Sequence, residues 1–351
     1  MLEEDFLESE EQELFEHYRF IVDKGQSLLR IDKWLMNRIE NASRTKIQAA
    51  ADVGSILVNQ KVVKSSYKVK PGDVISIVLP NPPKDTKIVP EEIPLNIIYE
   101  DDQLLLVDKV AGMVVHPGYN NTTGTLVNAL AWHLRDSEFA TENNIRPGLV
   151  HRIDKNTSGI LVIAKSEFAM THLAKQFYYH TIERTYQALI WGNLEQDTGT
   201  ITGYIGRSPK DRKVFQLYND AEKGKWSVTH YKVLERMDYV TLVECKLETG
   251  RTHQIRVHFK SIGNPLFADE VYGGDKIVKG TTFGKYKQFI DNCFALMPRQ
   301  ALHAKSLGFI HPTLNKKLYF ESDLPPDFIA VLEKWRKYTG HMKFDENTRL
   351  K

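Results

Sequence analysis

Cysteine is nearly absent: Cys245 and Cys293 are the only two in 351 residues. They stand far apart and form no CxxC pair. That argues against a disulfide scaffold and a thiolate zinc site, and it points to a reducing compartment. No run approaches the roughly 18 apolar residues of a membrane-spanning helix. The opening Met1-Leu2-Glu3-Glu4-Asp5 is acidic and lacks the basic start and apolar stretch of a secretory signal, so a cytoplasmic protein is expected. No H-E-x-x-H pattern occurs and His253 and His258 are five apart, so no metal site is expected. Tandem repeats and low-complexity tracts are missing too. Net charge is only +2, which identifies no partner.

The charge that is present is unevenly placed. Residues 1–23 carry nine acidic side chains and one basic, Arg19, whereas residues 27–80 carry nine basic and four acidic. A basic excess on a short segment suggests a phosphate-rich partner. The acidic stretch, to about Glu16, reads as a frayed helix or disordered arm. Leu28, Leu29, Ile31, Leu35 and Ile39 then recur at helical spacing. Ser43 suits the N-cap of a second helix through Ile47 and Ala50. Two short strands are expected around Asn59-Gln60, and another over residues 74–78 after the turn Pro71-Gly72-Asp73. The run Pro80-Asn81-Pro82-Pro83-Lys84 blocks helix and ladder bonds and marks a boundary.

The expected organisation is an acidic arm (1–26), a small module (27–80), a linker (81–93), a large domain (94–340) and a tail (341–351). In the large domain strands are expected at 104–107, 159–164, 185–191 and 241–247, and helices at 126–135 and 167–179. This mixture predicts an α+β fold.

Three stretches could carry chemistry. Gly148-Leu149-Val150-His151-Arg152-Ile153-Asp154-Lys155-Asn156-Thr157-Ser158-Gly159 sets a charged cluster between apolar segments, where a sheet would hold it rigid. Arg152 and Lys155 flank Asp154 and favour its ionised form, as a nucleophile requires. Charge pattern alone favours a capped turn with solvated basic residues. The second stretch runs Thr249-Gly250-Arg251-Thr252-His253-Gln254-Ile255-Arg256-Val257-His258-Phe259. Its alternation suits a strand, but the stop at Gly263-Asn264-Pro265 favours a helix capped by Thr252. Its Arg, His and Gln side chains suit phosphate or carboxylate contacts. The third places Tyr186, Ala188 and Ile190 on one face of a strand. Tyr186 there suits either base stacking or an ordinary sheet position.

Taken in order, these stretches resemble the RluA-type pseudouridine synthases. Residues 151–159 are similar to that family's His-Arg-Leu-Asp-x-x-Thr-Ser-Gly signature, with Ile153 for Leu, and residues 250–258 to its Gly-Arg-x-His-Gln-Ile-Arg-x-His element. Lys109 with Gly112-Met113-Val114-Val115-His116-Pro117-Gly118, and Arg299-Gln300-Ala301-Leu302-His303-Ala304, add to the likeness. Val110 replaces a common proline, which should alter loop stiffness only. Residues 266–273 resemble a Gly-Asp-x-x-Tyr-Gly element with Ala268 in place of Gly. Residues 276–298 look longer than the usual connection and have no assigned role. Residues 27–78 resemble an S4 RNA-binding domain through Arg30-Ile31-Asp32-Lys33-Trp34-Leu35, Ser43-Arg44, Gly54, residues 58–64 and Gly72-Asp73.

The resemblance implies an S4 module before a catalytic domain built on a mixed, mostly antiparallel sheet with flanking helices. It is most like the RluD subgroup, which modifies large-subunit ribosomal RNA. It implies isomerisation of uridine to pseudouridine after base flipping. No group is added or lost, so no cofactor is required. Asp154 matches the catalytic carboxylate, acting on the sugar or on the base. Arg256 should pair with it, and Tyr186 should stack on the uracil or remove the C5 proton. Arg152 should fill the vacated space. His151, Lys155, Arg251, His253 and Gln254 are expected to contact RNA. Arg30, Lys33, Arg44, Lys46 and Lys61 are expected to supply phosphate affinity from the S4 module. The expected partner is 23S-type ribosomal RNA or a pre-ribosomal particle, bound by a monomer. Alternatives are a non-catalytic RNA-binding ribosome-assembly factor, or an N-glycosylase that hydrolyses the same bond. The target uridine is not legible.

Overall fold

The computed structural model describes residues 15–39, 42–79, 88–117, 122–135, 140–141, 144–145, 148–211 and 214–349. The first fourteen residues of the acidic stretch and the proline-rich run lie outside them. The chain divides into two compact units, Met1–Lys87 and Ile88–Lys351.

In the first unit β1 (Phe15–Ile21) precedes β2 (Leu29–Arg30), α1 (Ile31–Met36), α2 (Arg44–Asp52), β3 (Ile56–Val58), β4 (Lys61–Val62), β5 (Lys68–Val69) and β6 (Val74–Leu79). An antiparallel sheet in the order β1-β6-β3-β4 packs against both helices through Ile31, Trp34, Leu35, Ile47, Ile56 and Ile75. Ser43 caps α2 by accepting the Lys46 backbone N–H, as its position predicts. Asn59 and Gln60 make the β3–β4 turn with positive φ (49° and 65°). The arm expected over residues 1–26 is corrected here. Its second half is strand β1, paired to β6, with Phe20 edge-on to Trp34 at 5.7 Å. The glutamates around that strand disguised it.

The second unit runs β7 (Ile97–Glu100), β8 (Leu104–Lys109), α3 (Leu126–His133), β9 (Ala140–Thr141), β10 (Asn144–Ile145), β11 (Gly148–Leu149), β12 (Ser158–Ala164) and α4 (Glu167–Tyr178). It continues with β13 (Glu183–Trp191), β14 (Thr198–Arg207), β15 (Phe215–Tyr218), β16 (Lys225–Met237), β17 (Val240–Leu247) and α5 (Gln254–Ser261). It closes with α6 (Gly284–Leu296), β18 (Leu302–Ile310), β19 (Lys317–Glu321) and α7 (Pro326–Arg349). One sheet of eleven strands forms the frame, in the order β15-β14-β16-β17-β13-β18-β12-β8-β7, with β11 on β12 and β19 on β18.

Alternate side chains of these strands face opposite ways. Leu105, Val107, Leu161, Tyr186, Ala188 and Ile190 join Leu126 and Leu130 of α3 and Ile255 and Phe259 of α5 in one core. On the other side Leu189 and Trp191 meet α6 and α7 through Tyr286, Ile290, Phe328 and Trp335. Each fully buried large side chain there contributes roughly 1.5–3 kcal/mol. Residues 276–298, without a role in the sequence, thus supply much of this second core. The expected tail over residues 341–351 is also corrected, since α7 continues to Arg349. Residues 88–93, expected as linker, are bonded into the second unit: Asn128 donates to the Val89 carbonyl, and the Glu91 carboxylate accepts the Gly124 N–H.

One joint decides where the charged loop emerges. β12 and β18 are parallel, pairing Ser158 with His303 and Gly159 with Ala304, in an otherwise antiparallel sheet. A side chain at Gly159 would sit 2.2 Å from the Ala304 carbonyl oxygen, at a φ of +114° that favours glycine. The closing Gly of the 151–159 signature therefore lets two strands approach.

Several histidines are locked in as neutral rings. His258 bonds the hydroxyls of Ser227 and Thr229 (both 2.9 Å), and His303 those of Ser158 and Ser322. Burial pushes both down to about 4, from an ordinary value of 6.5. Between pH 6.5 and 4 the unfolded chain therefore binds more protons than the folded one, so stability falls as pH falls. Thermal unfolding should show Tm dropping steadily across that window, and His258→Gln should flatten the slope; an unchanged slope in that variant would refute the assignment.

Candidate active site

Asp154 lies on the loop that leads into β12, and that loop is pinned at successive residues. The Lys109 ammonium, buried, donates to the carbonyls of Val110, Met113 and Lys155 at 2.8–3.0 Å. Burial and the nearby Arg299 push Lys109 down to about 7. The Gly112 N–H also donates to the Lys155 carbonyl, at 2.9 Å. Arg299 donates to the Asn156 carbonyl while its other nitrogens grip Asp327, and Gln300 reaches the Thr157 hydroxyl. These bonds fix the loop that carries Arg152 and Asp154 into the cleft.

Arg256, on the first turn of α5, holds that carboxylate. Its Nη1 donates to Asp154 Oδ2 at 2.9 Å, and its Nε and Nη2 donate to the two oxygens of Asp269 at 2.7 and 2.9 Å. Side-chain exposure falls along the chain of charges, from 22% at Asp154 to 5% at Arg256 and 0% at Asp269. Burial alone would weaken the guanidinium's hold on its proton, but the two carboxylates outweigh it and the net shift is upward. Arg256 is a permanent cation. Asp154 Oδ1 carries no bond from Arg256; the nearest cationic candidate is His253 Nε2, 3.9 Å away. Burial lowers the His253 pKa, so the ring is neutral.

The cleft in front of Asp154 has a volume of about 520 Å³, and its lining includes Arg152, Tyr186, Arg251, His253 and Arg256. Tyr186 is 8% exposed, and burial raises its hydroxyl's pKa, so it is a neutral phenol.

Residues 103–261 match the model of the RNA pseudouridylate synthase family, and residues 29–75 match the S4 domain. An uncharacterized RNA pseudouridine synthase of Chlorobaculum parvum is 45% identical over 317 residues, covering 90% of this chain and 96% of that protein. The chain belongs to the RluA-type RNA pseudouridine synthases. It is also 40% identical to the ribosomal large subunit pseudouridine synthase D of Nitrosomonas europaea, over 87% of this chain and 84% of the relative. The Zymomonas mobilis protein of that name is 39% identical, over 85% and 91%. The solved structure of human RNA pseudouridylate synthase domain containing 1 superposes with a TM-score of 0.51 at 25% identity, covering 69% of this chain and 89% of that one. As a pseudouridine synthase with an S4 domain, the protein is an isomerase acting on uridine in RNA.

Within this synthase Asp154, Tyr186 and Arg256 meet in one cleft, with Arg152 exposed at its edge. Other expected contacts fall differently. Gln254 is spent internally: it accepts from the Thr249 hydroxyl and the Arg251 N–H, and donates to the Val228 carbonyl and Thr229 hydroxyl. His151 accepts the Val162 N–H and stacks on Phe177, with burial pushing it down to about 3, so it is no cation for phosphate. Lys155 is exposed but acts in the site through its backbone carbonyl. Arg251 lines the cleft and donates from Nε to the Trp226 carbonyl. The N-cap of α5 is His253, not Thr252, in a left-handed conformation (φ 56°). Its Nδ1 is held 2.8 Å from the Tyr272 hydroxyl. In the S4 unit Arg30, Arg44 and Gln48 all converge on buried Asp32, whose carboxyl they hold well below the usual range. Lys33, Lys46 and Lys61 project freely into solvent.

Asp269 and Tyr272 had no role in the sequence reading, although the 266–273 fragment was matched to the family. Asp269 also accepts the N–H groups of Val271 and Tyr272, so one buried carboxylate shapes its own turn and aims Arg256. Ala268, before it, sits at φ 58°, which explains the family's preference for glycine there. Replacing Asp269 by Asn removes the negative charge and one of the two parallel bonds that fix Arg256, and sets an NH2 donor against the guanidinium. Turnover should fall by roughly 100-fold or more, with a loss of about 3 kcal/mol in stability from the broken buried pair. Tritium release and urea unfolding measure the two effects, and near-normal turnover would show that Arg256 needs no anchor.

Proposed function

We propose that this synthase isomerises uridines of large-subunit ribosomal RNA, with Asp154 as its nucleophilic carboxylate. The target is supported by relatives named as ribosomal large subunit pseudouridine synthases at 39–40% identity over most of the chain. The chemistry rests on one observation: Asp154 presents one oxygen to the cleft while Arg256 binds the other. Bonding to C1′, removal of the C2′ proton and addition to the base all need that oxygen ionised. The guanidinium, itself anchored by Asp269, fixes the direction of that carboxylate.

Tyr186 serves as a stacking surface for the detached uracil. Burial disfavours its phenolate, which argues against a standing role as base. A paired uridine cannot reach the cleft from within a duplex, so it must flip out, and exposed Arg152 is suited to occupy the gap. The S4 unit adds phosphate affinity through Lys33, Lys46 and Lys61, with Arg30 and Arg44 held in fixed directions by Asp32.

Asp154→Asn should abolish tritium release from C5-labelled ribosomal RNA while leaving binding nearly unchanged. Residual turnover within about tenfold of the wild type, about 1.4 kcal/mol in barrier, would remove the carboxylate from the reaction. Free uracil among the products would instead identify hydrolysis. Replacing Lys33, Lys46 and Lys61 together by alanine should weaken RNA binding and flatten its dependence on log salt by about 2–3, at roughly 0.7–0.9 per phosphate contact. Filter binding across a salt series measures this, and an unaltered slope would take RNA contact away from these lysines.

A further inference from the structure

Arg184 stands at the start of β13, two residues before Tyr186. Alternation along the strand puts it on the same face as Tyr186, Ala188 and Ile190, as the row leaves the core and enters the cleft. Its guanidinium carbon lies 5.5 Å from the centre of the Phe177 ring. On another side it lies against the backbone of Gly250, where an added Cβ would stand 2.8 Å from its Nη1.

This arginine is poorly satisfied. Its Nε is buried with no hydrogen-bond partner, and among the described residues no carboxylate pairs with it. Its neighbour Glu183 bonds Lys317 instead. An unpaired buried donor on a cation is costly, and a ligand on the cleft side of the same guanidinium would offset that cost. The other charges lining the cleft indicate which kind. Arg256 is matched by Asp154 and Asp269, whereas Arg152, Arg184 and Arg251 have no acidic partner among the described residues. The free charge of the cleft is therefore cationic, and its complement is an anion carried by the RNA.

We propose that Arg184 binds a backbone phosphate of the RNA immediately beside the uridine being isomerised, while Tyr186, next along the same face, receives the base. This rests on the proposed function above. The side chain thus sets the register of the strand in the cleft. Gly250 is the complementary position, because any side chain there would displace the guanidinium.

The test compares wild type, Arg184→Met and Arg184→Lys on a large-subunit ribosomal RNA transcript tritiated at uridine C5. Arg184→Met should weaken binding about tenfold or more, raise KM more than it lowers kcat, and reduce the log–log salt slope by about 0.7–0.9. Arg184→Lys should restore the salt slope with only part of the affinity. Gly250→Ala, which keeps the arginine but displaces it, should mimic the loss and provides a reading if Arg184→Met fails to fold. A folded Arg184→Met protein with the wild-type salt slope overturns the phosphate assignment, even if turnover falls. Binding and turnover are read separately. Wild-type protein that binds the transcript without releasing tritium would overturn the ribosomal target, and the slope comparison would still decide the role of Arg184.

Discussion

A single guanidinium, that of Arg256, divides its donors between Asp269 below it and Asp154 above it. Planar geometry matters here. Two parallel bonds to Asp269 fix the plane of the group, and the third donor can then point in only one direction. A lysine could neutralise Asp154 but could not hold it at a set angle. The arrangement carries one net negative charge over three buried or half-buried groups. Its desolvation is tolerable because each nitrogen of Arg256 and each oxygen of Asp269 has a hydrogen-bond partner. The outermost oxygen of Asp154 is left available for chemistry.

That chain of charges works only if the Asp154 loop and α5 keep their separation. The sheet ensures it. Parallel pairing of β12 with β18 is possible because Gly159 has no side chain, and it brings Arg299 and Gln300 beneath the loop. Lys109 seals the loop from the other direction by donating to three carbonyls. On the far face, α6 and α7 bury the tryptophans Trp191 and Trp335, giving the frame its thickness and rigidity. Precision at the site therefore comes from groups set behind the cleft lining.

Electrostatics separates the two units by task. In the S4 unit one buried aspartate, Asp32, orients two arginines that face solvent. In the catalytic unit a buried aspartate orients an arginine inward, toward another carboxylate. The same pairing leaves arginines held at the surface in one place and a held carboxylate in the other, depending on where the second end of the arginine points. Neutral histidines complete the picture. His151 and His253, both expected as RNA contacts, are half-buried and hydrogen-bonded within the protein, to the Val162 N–H and the Tyr272 hydroxyl, and His253 also lines the cleft.

Sequence alone determined the residue chemistry and most local structure. Runs of apolar residues marked the strands around Leu106, Val162, Ala188 and Val243, and the order of motifs identified Asp154, Tyr186 and Arg256 as one constellation. Local patterning missed β1, whose core contacts are scattered among glutamates, and the run of α7 past residue 340. Only the tertiary structure decided which bonds the polar residues make. Asp269 lies 13 residues from Arg256, Asp154 lies 102 away, and the Ser158–His303 contact spans 145. A side chain's type states which bonds it can form. Which of them it does form depends on where distant backbone segments place the competing partners, and no short window of sequence contains that information.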